Sequence, residues 1–152
     1  MAARFRIAGI TDEFSPDIEV AARSLAEVGM TGAELRMVFG KNILDLTDEE
    51  LDRAIAIVRG HGHEIISIAS PLLKCVLPDA PEVDSRFQQD MFASKHTFAD
   101  QPRLAARAFE IANRTGARIT LIPPEPPSSV PIAEFPVTVL LVSVTDAAPP
   151  TV

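Results

Sequence analysis

Gly29-Met30-Thr31-Gly32-Ala33-Glu34-Leu35-Arg36 decides how the rest of the chain is read. A helical pattern stops at Gly29, the chain turns at Thr31-Gly32, and a short apolar strand follows and closes on a carboxylate and a guanidinium. Glycine adopts the positive φ that a helix C-terminus often needs, so Gly29 predicts a stop. A short helix-to-strand connection suits an α/β repeat. Strands of a covered parallel sheet read as nearly unbroken apolar runs, which makes Glu34 stand out. A charge near the carboxyl end of such a strand faces the place where α/β folds hold their ligands. Two readings follow for Glu34: a structural ion pair, with Arg36 or a neighbouring loop, or a polar contact to a substrate. An uncompensated buried charge is strongly destabilising, so either reading requires a partner.

Working outward, Phe5–Ile10 is an apolar run expected to be the first strand, and Thr11-Asp12-Glu13-Phe14 a polar loop. Ser15-Pro16 reads as N-cap and first helical position, where proline gives up an N–H that is unpaired anyway. Ile18, Ala21, Ala22, Leu25 and Ala26 then fall on one helical face. After the Glu34 strand, Met37–Leu46 is expected to be a mixed loop. Thr47-Asp48-Glu49-Glu50 is a capping box, followed by Leu51, Ala54, Ile55 and Val58 at helical period and a stop at Gly60. Glu64–Ala69 predicts a third strand, rich in β-branched isoleucine. Pro71–Ala99 is a long connection of the kind more often a functional lid than filler. Asp100 is expected to cap the next helix, with Pro102 in its first turn, Ala105, Ala108, Phe109 and Ala112 on its packing face, and Gly116 as its stop. Ala117–Ile122 predicts a fourth strand. The pattern β-α-β-α-β-(long loop)-α-β implies right-handed βαβ units and a parallel sheet.

The grammar breaks after Ile122. Residues 123–152 hold eight of the 13 prolines, and the chain has no Lys or Arg after Arg118 and no Gly after Gly116. Pro123–Pro131 cannot be helix or central strand. Val137–Val144 is β-prone. One reading is a proline-rich tail that binds a partner in polyproline II form. The reading preferred from the sequence is an altered frame near Ile119–Leu121 or a truncated gene. The expected division is 1–122 for the repeating unit and 123–152 for an irregular, proline-rich tail.

The 152 residues suffice for one domain with a real core, and mean hydropathy of +0.17 with 47% hydrophobic residues is a globular composition. A net charge of −7 argues against a nucleic-acid partner. No apolar run approaches the roughly 20 residues that span a bilayer, so no membrane partner is expected. The N-terminus lacks the apolar core of a signal peptide. Cys75 is the single cysteine, which fits a reducing compartment and a cytoplasmic location.

Residues 5 to about 118 resemble the N-terminal half of a sugar-phosphate isomerase/epimerase of the xylose-isomerase-like TIM-barrel superfamily. The resemblance rests on Gly9-Ile10-Thr11-Asp12-Glu13-Phe14-Ser15, Gly32-Ala33-Glu34-Leu35-Arg36, Leu46-Thr47-Asp48-Glu49-Glu50-Leu51, Ser67-Ile68-Ala69-Ser70-Pro71, and His96 ahead of the third helix. It implies an α/β fold, part of a (β/α)8 barrel with about four parallel βα units and a site at the carboxyl ends of the strands. It also implies aldose–ketose isomerisation or epimerisation of a small sugar or sugar phosphate, assisted by a divalent metal (Mn, Mg, Co or Zn). The metal-holding acids and histidine of such isomerases lie mainly on later strands. Nothing in Ile119–Val152 resembles those strands, and no histidine follows His96. The expectation is therefore no metal bound by this chain and no turnover by this stretch alone, and no catalytic residue is assigned.

Glu34 and His96 match positions that line the mouth in relatives, and Asp12 follows the first strand at the same end. These three are the expected substrate-binding residues. Glu13 shares that loop, where acids are commonly just solvated. His61 and His63 flank Gly62 at the opposite, stability face, where helix-end capping is expected. His61-x-His63 has no acid or cysteine cluster beside it to complete a metal site. Cys75 has no base beside it in sequence, and isolated glycines make no phosphate fingerprint. The rival reading is a non-catalytic module. A half-barrel has open sheet edges that invite a second copy, and Val137–Val144 would cover one of them.

Overall fold

A computed structural model describes residues 7–75, 96–122 and 140–143. The strands are β1 (Ala8–Ile10), β2 (Gly32–Leu35), β3 (Met37–Val38), β4 (Lys41–Asn42), β5 (Glu64–Ala69), β6 (Ile119–Ile122) and β7 (Leu140–Ser143). The helices are α1 (Thr11–Phe14), α2 (Ile18–Glu27), α3 (Asp48–Gly60) and α4 (Gln101–Thr115). The main sheet has the order β1-β2-β5-β6-β7. Its first four members pair parallel, and β7 joins β6 antiparallel. The fold is thus α/β with a parallel sheet; the described strands form an open sheet, and closure into a barrel is not shown among them. Leu140–Ser143 lies within the β-prone Val137–Val144, so the stretch after Ile122 is not irregular throughout.

The monotone strand order has a structural consequence. Right-handed crossovers that always advance in one direction put their helices on one face of the sheet. A Cβ added at Gly9 would lie 2.7 Å from Leu25 of α2 and 2.8 Å from Phe14. Gly9 pairs with Ala33, so Ala33 and Leu35 share the helix-covered face, and both are fully buried. Gly32 and Glu34 point the other way by strand alternation. A Cβ at Gly32 would meet no helix but Ala8 Cβ at 2.8 Å and Ile66 Cγ2 at 3.2 Å. Neither strand can move aside, so Gly32→Ala should cost about 1–3 kcal/mol by overpacking, read as a lower thermal midpoint. An unchanged midpoint would mean the sheet is looser there than described.

Helix ends follow local chemistry. Gly29 and Gly62 take φ of 78° and 83°. After α2, Met30 N–H donates to the Leu25 carbonyl and Gly29 N–H to that of Ala26, both at 3.0 Å; after α3, His63 and Gly62 repeat the pattern on Val58 and Arg59. Each is a Schellman cap. α3 ends at Gly60 as expected, and the left-handed residue of its cap is Gly62, two residues on. The Thr47–Glu50 capping box forms as expected, with Thr47 N–H donating to Glu50 at 2.9 Å. Leu51, Ala54, Ile55 and Val58 are buried as the periodicity requires.

Several local expectations fail. Thr11–Phe14 is a helical turn, not a loop. Asp17 caps α2 through Glu19 N–H at 2.9 Å, while Ser15 only accepts from Asp17 N–H, and Ala26 is exposed. Met37–Leu46 holds the β3–β4 hairpin and a 3-10 turn over Ile43–Asp45. Asp100 stands at the N-cap of α4 as expected, but its side chain makes no cap bond there; its carboxylate accepts from Thr97 N–H and hydroxyl at the entrance of the Phe98–Asp100 3-10 turn. The buried stripe of α4 is Leu104, Ala108, Ile111 and Ala112, while Phe109 is exposed. Most of Pro71–Ala99 lies outside the described residues.

Asp48 joins α3 to α4 by ion pairs to Arg107 at 2.9 Å and Arg114 at 2.7 Å. The Arg107 hydrogen bond, then that of Arg114, holds the Asp48 carboxyl below its ordinary 3.8. Lys41 does the same for Glu50, and Thr97 N–H for Asp100. A carboxyl with a lowered folded pKa contributes stability above its ordinary value and loses it as pH falls through the lowered one. The urea midpoint should be flat above about pH 5 and decline below about pH 4. Because the pairs are surface-exposed, the decline should be shallower in high salt.

Candidate functional site

The carboxyl ends of β1, β2 and β5 bring the polar residues together. Ile10 of β1 aligns with Glu34 of β2, and Glu34 with Ser67 of β5. The last pairing depends on an irregularity. Ala33 faces Ile65, but the register shifts before Glu34, so β5 carries one extra residue, Ile66, at that step. Such bulges re-aim a side chain. Here the bulge sets Ser67 opposite Glu34, and the Ser67 hydroxyl donates to Glu34 Oε2. Ser67 is buried and Glu34 half-buried. From the other side, the buried Thr11 hydroxyl donates to the Glu34 main-chain carbonyl at 3.2 Å.

Glu34 does not pair with Arg36, so the expected local ion pair is replaced. The Arg36 guanidinium reaches back to the loop after β1. Its Nε and Nη2 donate to Asp12 Oδ2 at 2.9 and 2.7 Å, and Nη2 also donates to Glu13 Oε1 at 2.5 Å. Asp12 Oδ1 accepts from Met37 N–H at 3.2 Å, and its side chain is 9% exposed. The Asp12 and Glu13 carboxylates thus stitch β1 to β2 at the carboxyl end of the sheet.

His96 lies ahead of α4, and its Nε2 is 3.1 Å from Asp45 Oδ1, ahead of α3. Both connections enter helices from the carboxyl end of the sheet, so His96 and Glu34 share that end. The structure joins His96 to Asp45 and not to Glu34. His61 and His63 lie at the opposite end, and both close the end of α3 as expected, through main-chain N–H groups that donate to Ile57 and Val58, while their side chains reach elsewhere. His61 Nε2 is 2.8 Å from Glu19 Oε1, and the buried His63 Nε2 is 2.7 Å from the Ala22 carbonyl in mid-α2. They tether the α3–β5 junction to α2. Cys75 is half-buried. A groove of about 540 Å³ lies apart from Glu34, between Asp17 at the N-cap of α2, Phe39 in the hairpin turn, and Arg53 and Ile57 of α3. The Arg53 guanidinium stacks 4.9 Å from the Phe39 ring centre.

Sequence reasoning missed Ser67, Thr11 and Arg36 as members of this cluster. The one available signal was Ser67 itself, a lone hydroxyl within the isoleucine-rich Ile65-Ile66-Ser67-Ile68. Among the described residues no three His, Cys, Asp or Glu side chains gather in a way that would hold a metal ion. No described helix is long and apolar enough to cross a membrane. No protein-family model, curated protein or solved structure matches the chain.

Proposed function

We propose that the carboxyl end of this sheet is one wall of a barrel-type site for a small sugar or sugar phosphate, the substrate class that the isomerase/epimerase resemblance implies. The observation that carries the reading is Glu34: a half-buried carboxylate at the ligand end of a parallel sheet, on the face opposite the helices, with no cation paired to it among the described residues. A carboxylate so placed accepts hydrogen bonds from sugar hydroxyls. His96, held by Asp45, supplies a second polar group at the same end. Asp12 supports this wall through Arg36 and is assigned no ligand contact.

The family's divalent metal would polarise the hydroxyl and carbonyl oxygens of a bound sugar. The described residues do not fit it, because their acids and histidines are spread over separate pairs: Asp12 with Arg36, Glu34 with Ser67, and His96 with Asp45. The role proposed for these residues is therefore binding.

The test is calorimetric titration of the protein with aldoses, ketoses, polyols and their phosphates, each with and without Mn²⁺, Mg²⁺ and Co²⁺, alongside assays of sugar turnover. Binding of at least one class is expected. Glu34→Gln should weaken it about tenfold to a hundredfold, the worth of a hydrogen bond to a charged group. Binding and turnover of nothing in the panel would remove this reading.

A further inference from the structure

The geometry points to Ser67 as a positioning residue that fixes which way the Glu34 carboxylate faces and thereby sets stereochemical selectivity among sugar epimers. This inference rests on the proposed binding role of Glu34 and adds a specific cause for specificity.

Three observations carry it. The register shift on β5 exists at this one step of the β2–β5 pairing, and without it Glu34 would face Ile66 instead of Ser67. Ser67 is only 2% exposed, so its hydroxyl serves the interior of the site and not solvent. It donates to Oε2 alone, while Oε1 has no hydrogen bond among the described residues and is not one of the buried unpaired polar atoms. One carboxylate oxygen is therefore held by Ser67, and the other accepts no hydrogen bond from the described residues. Thr11 restrains the Glu34 main chain from the other flank, so both the backbone and the side chain of Glu34 are held.

A glutamate side chain has three rotatable bonds, and a free one would meet a ligand hydroxyl at many angles. With Oε2 tied to Ser67, Oε1 presents its lone pairs in one direction. Epimers differ in the direction of a single hydroxyl. A fixed acceptor rewards one epimer, and a swivelling acceptor serves both. Ser67 touches no substrate in this scheme; it acts through Glu34.

The probes are D-glucose against D-mannose, which differ at C2, and D-glucose against D-galactose, which differ at C4. Dissociation constants are measured by NMR titration for wild type, Ser67→Ala and Ser67→Thr. Wild type should prefer one member of a pair by at least about tenfold, the worth of one well-aimed hydrogen bond. Ser67→Ala should reduce that preference at least fivefold, with a melting temperature within about 5 °C of wild type. Ser67→Thr keeps the hydroxyl and should keep the preference; if the extra methyl prevents folding, Ser67→Cys replaces it as the donor-retaining variant. Wild type binding both epimers equally, or Ser67→Ala retaining the preference, would overturn the inference. Loss of preference in every Ser67 variant together with a large drop in melting temperature would also overturn it, because that is a packing role. Failure of wild type to bind any of these sugars is a different result, and counts against the proposed function itself.

Discussion

Arg36→Met should lower the unfolding free energy by about 2–3 kcal/mol, because it strips the cation from a nearly buried carboxylate. Asp12 keeps its bond from Met37 N–H but loses both guanidinium donors. Breaking a fully buried pair by removing one partner costs about 3–5 kcal/mol, and the 20% exposure of the Arg36 side chain argues for a value at or just below the bottom of that scale. Methionine preserves most of the apolar stem, so the loss reports the charge and not the packing. The informative comparison is the double-mutant cycle with Asp12→Asn. Asparagine needs no counter-charge, and the pair is in direct contact. The double variant should therefore be more stable than the sum of the single losses predicts, by about 1–3 kcal/mol. Additive losses in urea melts would show that the two charges are independently solvated. Glu13 is 59% exposed and contributes little: Glu13→Gln should fall within about 0.5 kcal/mol of wild type.

What the sequence revealed and what it concealed divide along one physical line. Features set by neighbours in the chain were legible. The Thr47–Glu50 box depends on two side chains three residues apart, and the bounds of β5 follow from a β-branched run. Features set by register between strands were not. Asp12 and Arg36 are 24 residues apart and meet only because β1 and β2 pair as they do. The bulge that brings Ser67 opposite Glu34 is a property of the β2–β5 pairing and leaves no mark in either segment alone. The β3–β4 hairpin was hidden for a different reason. Its turn puts both Phe39 and Gly40 at positive φ, 52° and 74°, and phenylalanine is not a residue that signals such a turn. Its ring instead lies under Arg53, a tertiary contact that helps to offset the strain. The cap of α2 slipped by two residues because Ser15 and Asp17 are both good caps, and the choice between them is made by backbone geometry. Periodicity placed Phe109 in the core, but the buried stripe of α4 runs through Leu104 and Ile111, on a different side of the helix from Phe109.

Leu35→Ala is the sharpest test of how β2 divides labour between its two faces. Leu35 is fully buried, lies beside the equally buried Ile68 of β5, and belongs to the face that the helices cover. Truncating a leucine there removes apolar contacts and leaves a cavity among rigid strands, at a cost of about 3–4 kcal/mol. In a chain of this size that should lower the melting temperature by roughly 10 °C or more. The preceding residue should behave in the opposite way. Glu34→Gln keeps a side-chain carbonyl able to accept from Ser67, so its stability should stay within about 1 kcal/mol of wild type while ligand binding suffers. One strand would then show a stability position and a binding position side by side, separated by nothing but the alternation of the pleat. If instead Glu34→Gln proved as destabilising as Leu35→Ala, Glu34 would be a structural member of the interior, and the carboxyl end of the sheet would lose its claim to be a site.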